Sequence, residues 1–129
     1  MNQWLKKIVF TFGLVLSFTI AFAQAPLEAI GRAIGSGNVG GISRYFDNAI
    51  SLTVSGSQST YSRSQAEMVL RDFFNKNGTK GLSIGHTGDN SNGSYAIGTL
   101  STASGNFRVY FALRQKEGGY VIQEIRIER

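Results

Sequence analysis

The sequence contains no cysteine. That single absence excludes disulfide staples, thiolate zinc sites, cysteine nucleophiles and a lipidated amino-terminal cysteine. Histidine occurs once, at His86, so one imidazole and scattered carboxylates fall short of the clustered protein ligands a metal needs. Only one proline is present, Pro26, and 16 glycines are left to do the turning. Charged residues make up 16% of the chain against 42% hydrophobic and 12% aromatic, too little charge for a disordered tail and enough apolar matter for a core.

A long hydrophobic run occurs only at the start. Lys6 and Lys7 precede residues 8–23, which are mostly apolar, are interrupted by Thr11, Ser17 and Thr19, and end in Ala21-Phe22-Ala23 before Gln24. A run of this length falls short of the roughly 20 residues a spanning helix needs, and it ends in a small-residue cleavage site. Residues 1–23 therefore read as a secretory signal, and residues 24–129 as one domain exported to the periplasm or beyond. Losing Lys6 and Lys7 lowers the formal charge from +5 to +3, and no run of four basic residues remains. Neither nucleic acid nor, after cleavage, a membrane is an expected partner.

Along the mature chain, Leu27, Ile30 and Ile34 recur at helical spacing, then Val39, Ile42 and Phe46 repeat it after Gly35 to Gly37, with Asn38 as a cap. A helical hairpin is predicted. Ile50, Leu52 and Val54 alternate with polar residues as in a half-buried strand, which turns at Gly56 towards a short strand around Thr60-Tyr61. Ser64 and Glu67 suggest a capping box for a long helix with an apolar face of Ala66, Val69, Leu70, Phe73 and Phe74, stopped by Asn77-Gly78. From Gly81 onward four strands follow, the clearest alternating Phe107, Val109, Phe111 and Leu113 with Arg108, Tyr110, Ala112 and Arg114. Gly85 and Gly98 inside strands predict a bulged, strongly curved sheet. The implied class is α+β, with helices gathered on a curved antiparallel sheet.

This order resembles the cone-shaped fold of nuclear transport factor 2 and its relatives. The segments Arg44-Tyr45-Phe46-Asp47, Tyr61-Ser62-Arg63-Ser64-Gln65-Ala66, Leu70-Arg71-Asp72-Phe73-Phe74, Tyr95-Ala96-Ile97-Gly98-Thr99-Leu100, Phe107-Arg108-Val109-Tyr110-Phe111 and Ile122-Gln123-Glu124-Ile125-Arg126-Ile127-Glu128 are similar to recurring segments of an exported bacterial family, domain of unknown function 4783. The resemblance spans essentially the whole mature chain. It implies fold and export and brings no catalytic residues with it.

Candidate chemistry is thin. Gly35-Ser36-Gly37-Asn38-Val39-Gly40 spells a dinucleotide fingerprint, but the segment before it has helical spacing and position 57, where an acidic ribose ligand belongs, is Ser57. It reads as an inter-helix loop. His86 shares strand parity with Leu82 and Ile84, which places it inside the cone, and Tyr45, Tyr61 and Gln123 are candidates to join it in lining a ligand pocket of mainly apolar character. Glu124 alternates away from that face, so no carboxylate is expected beside the imidazole. Tyr110, Tyr120 and Ile122, with Arg108, Arg114 and Arg126, fall on the opposite parity and suggest an outer face for a homodimer. Asn77-Gly78-Thr79 and Asn92-Gly93-Ser94, formal glycosylation acceptors, read as turns. The leading expectation is a non-catalytic exported module that binds a small apolar ligand or a protein partner, without catalytic residues, metal or cofactor. The alternative is a small cone-fold hydrolase, isomerase or dehydratase with His86 as general base and Tyr45 or Tyr61 as hydrogen-bond donor.

Overall fold

Helix α1 (Leu27–Gly35) buries Ile30, Ala33 and Ile34, the stripe that its apolar spacing predicts, while Pro26 stands just before the first turn as its cap. A Cβ added at Gly35 would stand 2.6 Å from the backbone nitrogen of Leu82, so only glycine lets this helix lie so close to the sheet. These facts come from a computed structural model that describes residues 24–129; the expected signal segment lies outside the described residues.

Helix α2 (Val39–Ser43) is shorter than its apolar spacing suggests. Asn38 caps it by accepting from the Gly41 amide at 3.1 Å, but Gly40 and Gly41 are poor helix formers. The Ile122 amide then donates to the Tyr45 carbonyl at 2.7 Å and draws the chain into the sheet. Strand β1 (Phe46–Val54) therefore begins four residues before the alternation at Ile50.

A two-residue turn with Ser55 at φ 54° and Gly56 at φ 84° leads into β2 (Ser57–Ser62), and positive φ at both centres is the hairpin geometry that suits twisted strands. Helix α3 (Arg63–Lys76) starts two residues earlier than expected. Its capping box is Ser62 with Gln65 rather than Ser64 with Glu67, because Ser62 ends a strand in the extended conformation that a cap requires. At the far end Asn77 keeps a negative φ, and its side-chain amide satisfies the Phe73 carbonyl at 3.0 Å in place of the left-handed stop.

Strands β3 (Thr79–Asn90), β4 (Gly93–Thr102), β5 (Gly105–Lys116) and β6 (Gly119–Glu128) form the expected antiparallel meander. The six strands make one sheet in the order β2-β1-β6-β5-β4-β3. The β1 to β6 pairing is parallel, so the sheet is mixed rather than antiparallel throughout. The first strand joins the last because the intervening hairpin and α3 carry the chain across before the meander begins. At Gly98 a Cβ would lie 2.5 Å from the Ser83 carbonyl oxygen, and β3 presses on β4 where the sheet bends.

The core fills the space between helices and sheet. Phe107, Val109, Phe111, Leu113, Ile122, Ile125 and Ile127 meet Ile30, Ile34, Ile42, Leu70 and Phe73, all buried. The Phe73 ring packs edge-on against Phe107 at 5.1 Å between centroids, fixing α3 over the sheet.

Candidate binding clefts and the outer sheet face

Two register shifts decide where the candidate side chains go. In β3, Ile84 opposes Gly98 but His86 opposes Ile97, so Gly85 is an extra residue and parity reverses there. In β6, Ile122 opposes Leu113 and Glu124 opposes Ala112, leaving Gln123 as the extra residue.

The first shift turns His86 out of the cone. It is exposed on the outer face, with Nε2 3.2 Å from the Tyr95 hydroxyl. From there a row of side chains crosses the meander. The Tyr95 ring lies 6.0 Å from that of Tyr110, the Arg126 guanidinium sits 5.4 Å over Tyr110, and Arg126 Nε donates to Glu124 Oε2 at 2.8 Å. Donating this hydrogen bond to Glu124 also raises the already high pKa of Arg126. Glu124 faces outward as its alternation predicts. Both it and His86 lie on the outer face, with Tyr95, Tyr110 and Arg126 between them.

The second shift corrects the expected dimer face. Tyr110 points outward, but Ile122 is fully buried and Tyr120 is partly buried against the core. Counting back by twos from Ile125 puts these two outside; the bulge at Gln123 puts them inside.

Among the described clefts, the four candidate ligand residues line four different ones. Tyr45, with Arg44 stacked 5.4 Å from its ring, lines a cleft of about 250 Å³ beside the helical hairpin. Tyr61 lines one of about 180 Å³ between α3 and the first hairpin, His86 one of about 400 Å³ on the outer face, and Gln123 one of about 1000 Å³. This last cleft lies at the end of the sheet where the β3–β4 and β5–β6 hairpins turn. Residues from the start of α1 and from Asp89 to Ser94, Arg114, Gln115, Tyr120 and Gln123 surround it, and its lining is mainly polar, unlike the apolar hollow expected.

The ionic groups at this end are tied to one another. Asp47 accepts from Arg114 Nη2 at 2.6 Å and from Lys116 Nζ at 2.8 Å. Those bonds, with that from the Asn48 amide, hold its carboxyl well below the usual carboxylate range. Asp89 accepts from the Ser94 hydroxyl at 2.6 Å, and Asn90 Oδ1 accepts from the amides of Asn92 and Gly93 at 2.8 and 2.9 Å, which fixes the turn. Gln115 donates to the Tyr120 hydroxyl at 3.1 Å. Sequence reasoning missed the Asp47 cluster because its members are 67 and 69 positions apart. No local signal marks such a pair. Among the described residues, no group of three or more His, Asp or Glu is placed to hold a metal, and no helix is long and apolar enough to cross a membrane.

The pattern of one family, described as a domain of unknown function, DUF4783, matches residues 27–128. The chain belongs to the DUF4783 family. A crystal structure of a DUF4783 family protein from Bacteroides ovatus is similar at 30% identity, covering 83% of this chain and 97% of the other, with a TM-score of 0.78. One from Bacteroides fragilis is 33% identical, covers 78% and 95% of the two chains and gives a TM-score of 0.74. The fold extends further: an NTF2-like protein of unknown function from Cytophaga hutchinsonii matches with a TM-score of 0.52 at 7% identity, covering 74% of this chain and 78% of its own. The DUF4783 chain thus has the NTF2-like fold that its element order resembles. No curated protein matches it.

Proposed function

We propose that this DUF4783 protein is an exported, non-catalytic binding module whose ligand sits in the hairpin-end cleft. One observation carries the assignment: the largest of the four clefts described above is built on the ends of β3 to β6, while His86 lies on the outer face, away from it. The alternative enzyme needs His86 beside an orienting acid, yet the recorded polar partner of its ring is the Tyr95 hydroxyl. Export is supported by the basic and apolar pattern of residues 1–23. Sequencing the protein from a periplasmic or culture fraction is expected to begin at Gln24, and recovery of the protein only from the cytoplasmic fraction, with residues 1–23 still attached, would end the export proposal.

The outer face fits a second copy of this chain. Tyr95 and Tyr110 supply its apolar centre, and Glu124, Arg126, Arg108 and Glu128 place both signs of charge on it, so a two-fold contact can pair opposite charges. Sedimentation is expected to show a dimer that Tyr110→Glu converts to monomer without loss of fold; a monomeric parent protein at its highest soluble concentration would rule this out. For the cleft, nuclear magnetic resonance titrations with small-molecule mixtures are expected to move the amides of residues 89–94 and 120–123 in a saturable way. Ligands that move only amides elsewhere would refute a binding site here.

A further inference from the structure

We propose that the hairpin-end cleft takes an uncharged, hydroxyl-rich ligand, a sugar or short glycan; the proposal rests on the assignment of this cleft as the binding site. Three features of its lining select that chemistry. The first is charge. Arg114, the one basic side chain in the lining, spends Nε and Nη2 on Asp47 at 3.2 and 2.6 Å, and the one carboxylate, Asp89, accepts from Ser94. The two charged side chains thus each have a protein partner already, and cleavage before Gln24 would add only an α-amino group at the edge of the cleft. Phosphates and carboxylate ligands gain most from a guanidinium with its fork open, and Arg114 does not offer one.

The second feature is the kind of polar group. Asn92, Gln115 and Gln123 bring amides to the cleft, each with a carbonyl acceptor and an NH₂ donor side by side. A hydroxyl also donates and accepts at once, and neighbouring hydroxyls on a sugar ring match this pairing as an apolar chain does not. The third is the ring of Tyr120. It is half-buried on the core and held through its hydroxyl by Gln115, which makes it a fixed apolar surface against which the C–H face of a sugar ring can lie. The bulge at Gln123 brings that amide to the cleft beside Tyr120, although the strand's simple alternation would put the two on opposite faces.

The test is a titration of isotopically labelled protein with glucose, galactose, mannose, N-acetylglucosamine and their disaccharides, alongside citrate as an anion and laurate as an apolar chain. At about 10 mM, a ligand with a Kd near 1 mM is close to saturation. Saturable shifts of the residue 89–94 and 120–123 amides by at least one sugar are expected. Gln123→Ala, at an exposed position, is expected to weaken that sugar by about 3- to 10-fold, and Tyr120→Ala by more, with melting measured to confirm that both variants remain folded. Tyr120→Phe keeps the ring and is expected to lose less than Tyr120→Ala. If citrate or laurate moves these amides and the sugars do not, the ligand class is overturned while binding at the cleft stands. If no probe moves them, or sugar binding is untouched by Gln123→Ala and Tyr120→Ala, the sugar proposal is overturned.

Discussion

The two faces of the β3 to β6 meander are made from alternate residues of the same strands, yet they are held in different ways. Inside, Phe107, Val109, Phe111, Ile125 and Ile127 lose nearly all contact with water and stabilise the fold through apolar burial. Outside, His86, Tyr95, Tyr110, Arg126 and Glu124 form a row in partial contact with solvent, joined by the His86–Tyr95 hydrogen bond, ring contacts and the Arg126–Glu124 ion pair. Stability lies mainly on the inner face, and the outer face keeps its side chains in contact with solvent. The hairpin end stands between these cases, since the Asp47 carboxylate is largely shielded without being part of the apolar core, while its partners Arg114 and Lys116 still reach solvent.

The largest effect is expected at the inner face. Phe73→Ala removes the ring that packs edge-on against Phe107 and is expected to cost about 3 to 5 kcal/mol in denaturant unfolding. A loss below about 1 kcal/mol would show that the contrast between the faces is overdrawn. Gly35→Val forces a side chain against the Leu82 backbone and is expected to cost about 1 to 3 kcal/mol, read as a lower melting temperature. An unchanged temperature would mean that α1 can move away from β3 freely.

Asp47→Asn tests the intermediate region. Its loss is expected to be about 1 to 2 kcal/mol at neutral pH, above most exposed ion pairs because one shielded carboxylate takes several bonds. The folded carboxyl titrates below its unfolded value of about 3.9, so its contribution is complete above that pH and is lost as pH falls through the folded value. Melting curves of parent and variant should therefore converge as the solution is acidified below about pH 4, and a gap of constant size would refute the ionic origin. The smallest effect is expected outside: His86→Ala should change stability by less than about 0.5 kcal/mol. A loss several times larger would mean that the outer row is structural.

Much of the fold was legible. The Phe107 to Leu113 alternation, the α1 stripe and the Val69 to Phe74 face each repeat with the period of their element, and these local patterns survive packing. The capping box slid from Ser64 to Ser62 because two overlapping Ser-x-x-Glu/Gln patterns compete and the end of β2 selects between them. The site was less legible. His86, Gln123, Tyr120 and Ile122 all lie at or near one of the two bulges, and one extra residue moves a side chain to the other face without changing the residue types that a pattern reads.

From the order of residues alone come the α+β class, the glycine-dependent bends and the absence of thiol chemistry, since each depends on composition or on short-range periodicity. Folding in three dimensions decided which way His86 points, that Tyr120 and Gln123 line one cleft and that Asp47 gathers Arg114 and Lys116. Strand register is settled between neighbouring strands by the whole packed sheet, and residues nearly 70 positions apart meet only after it is set.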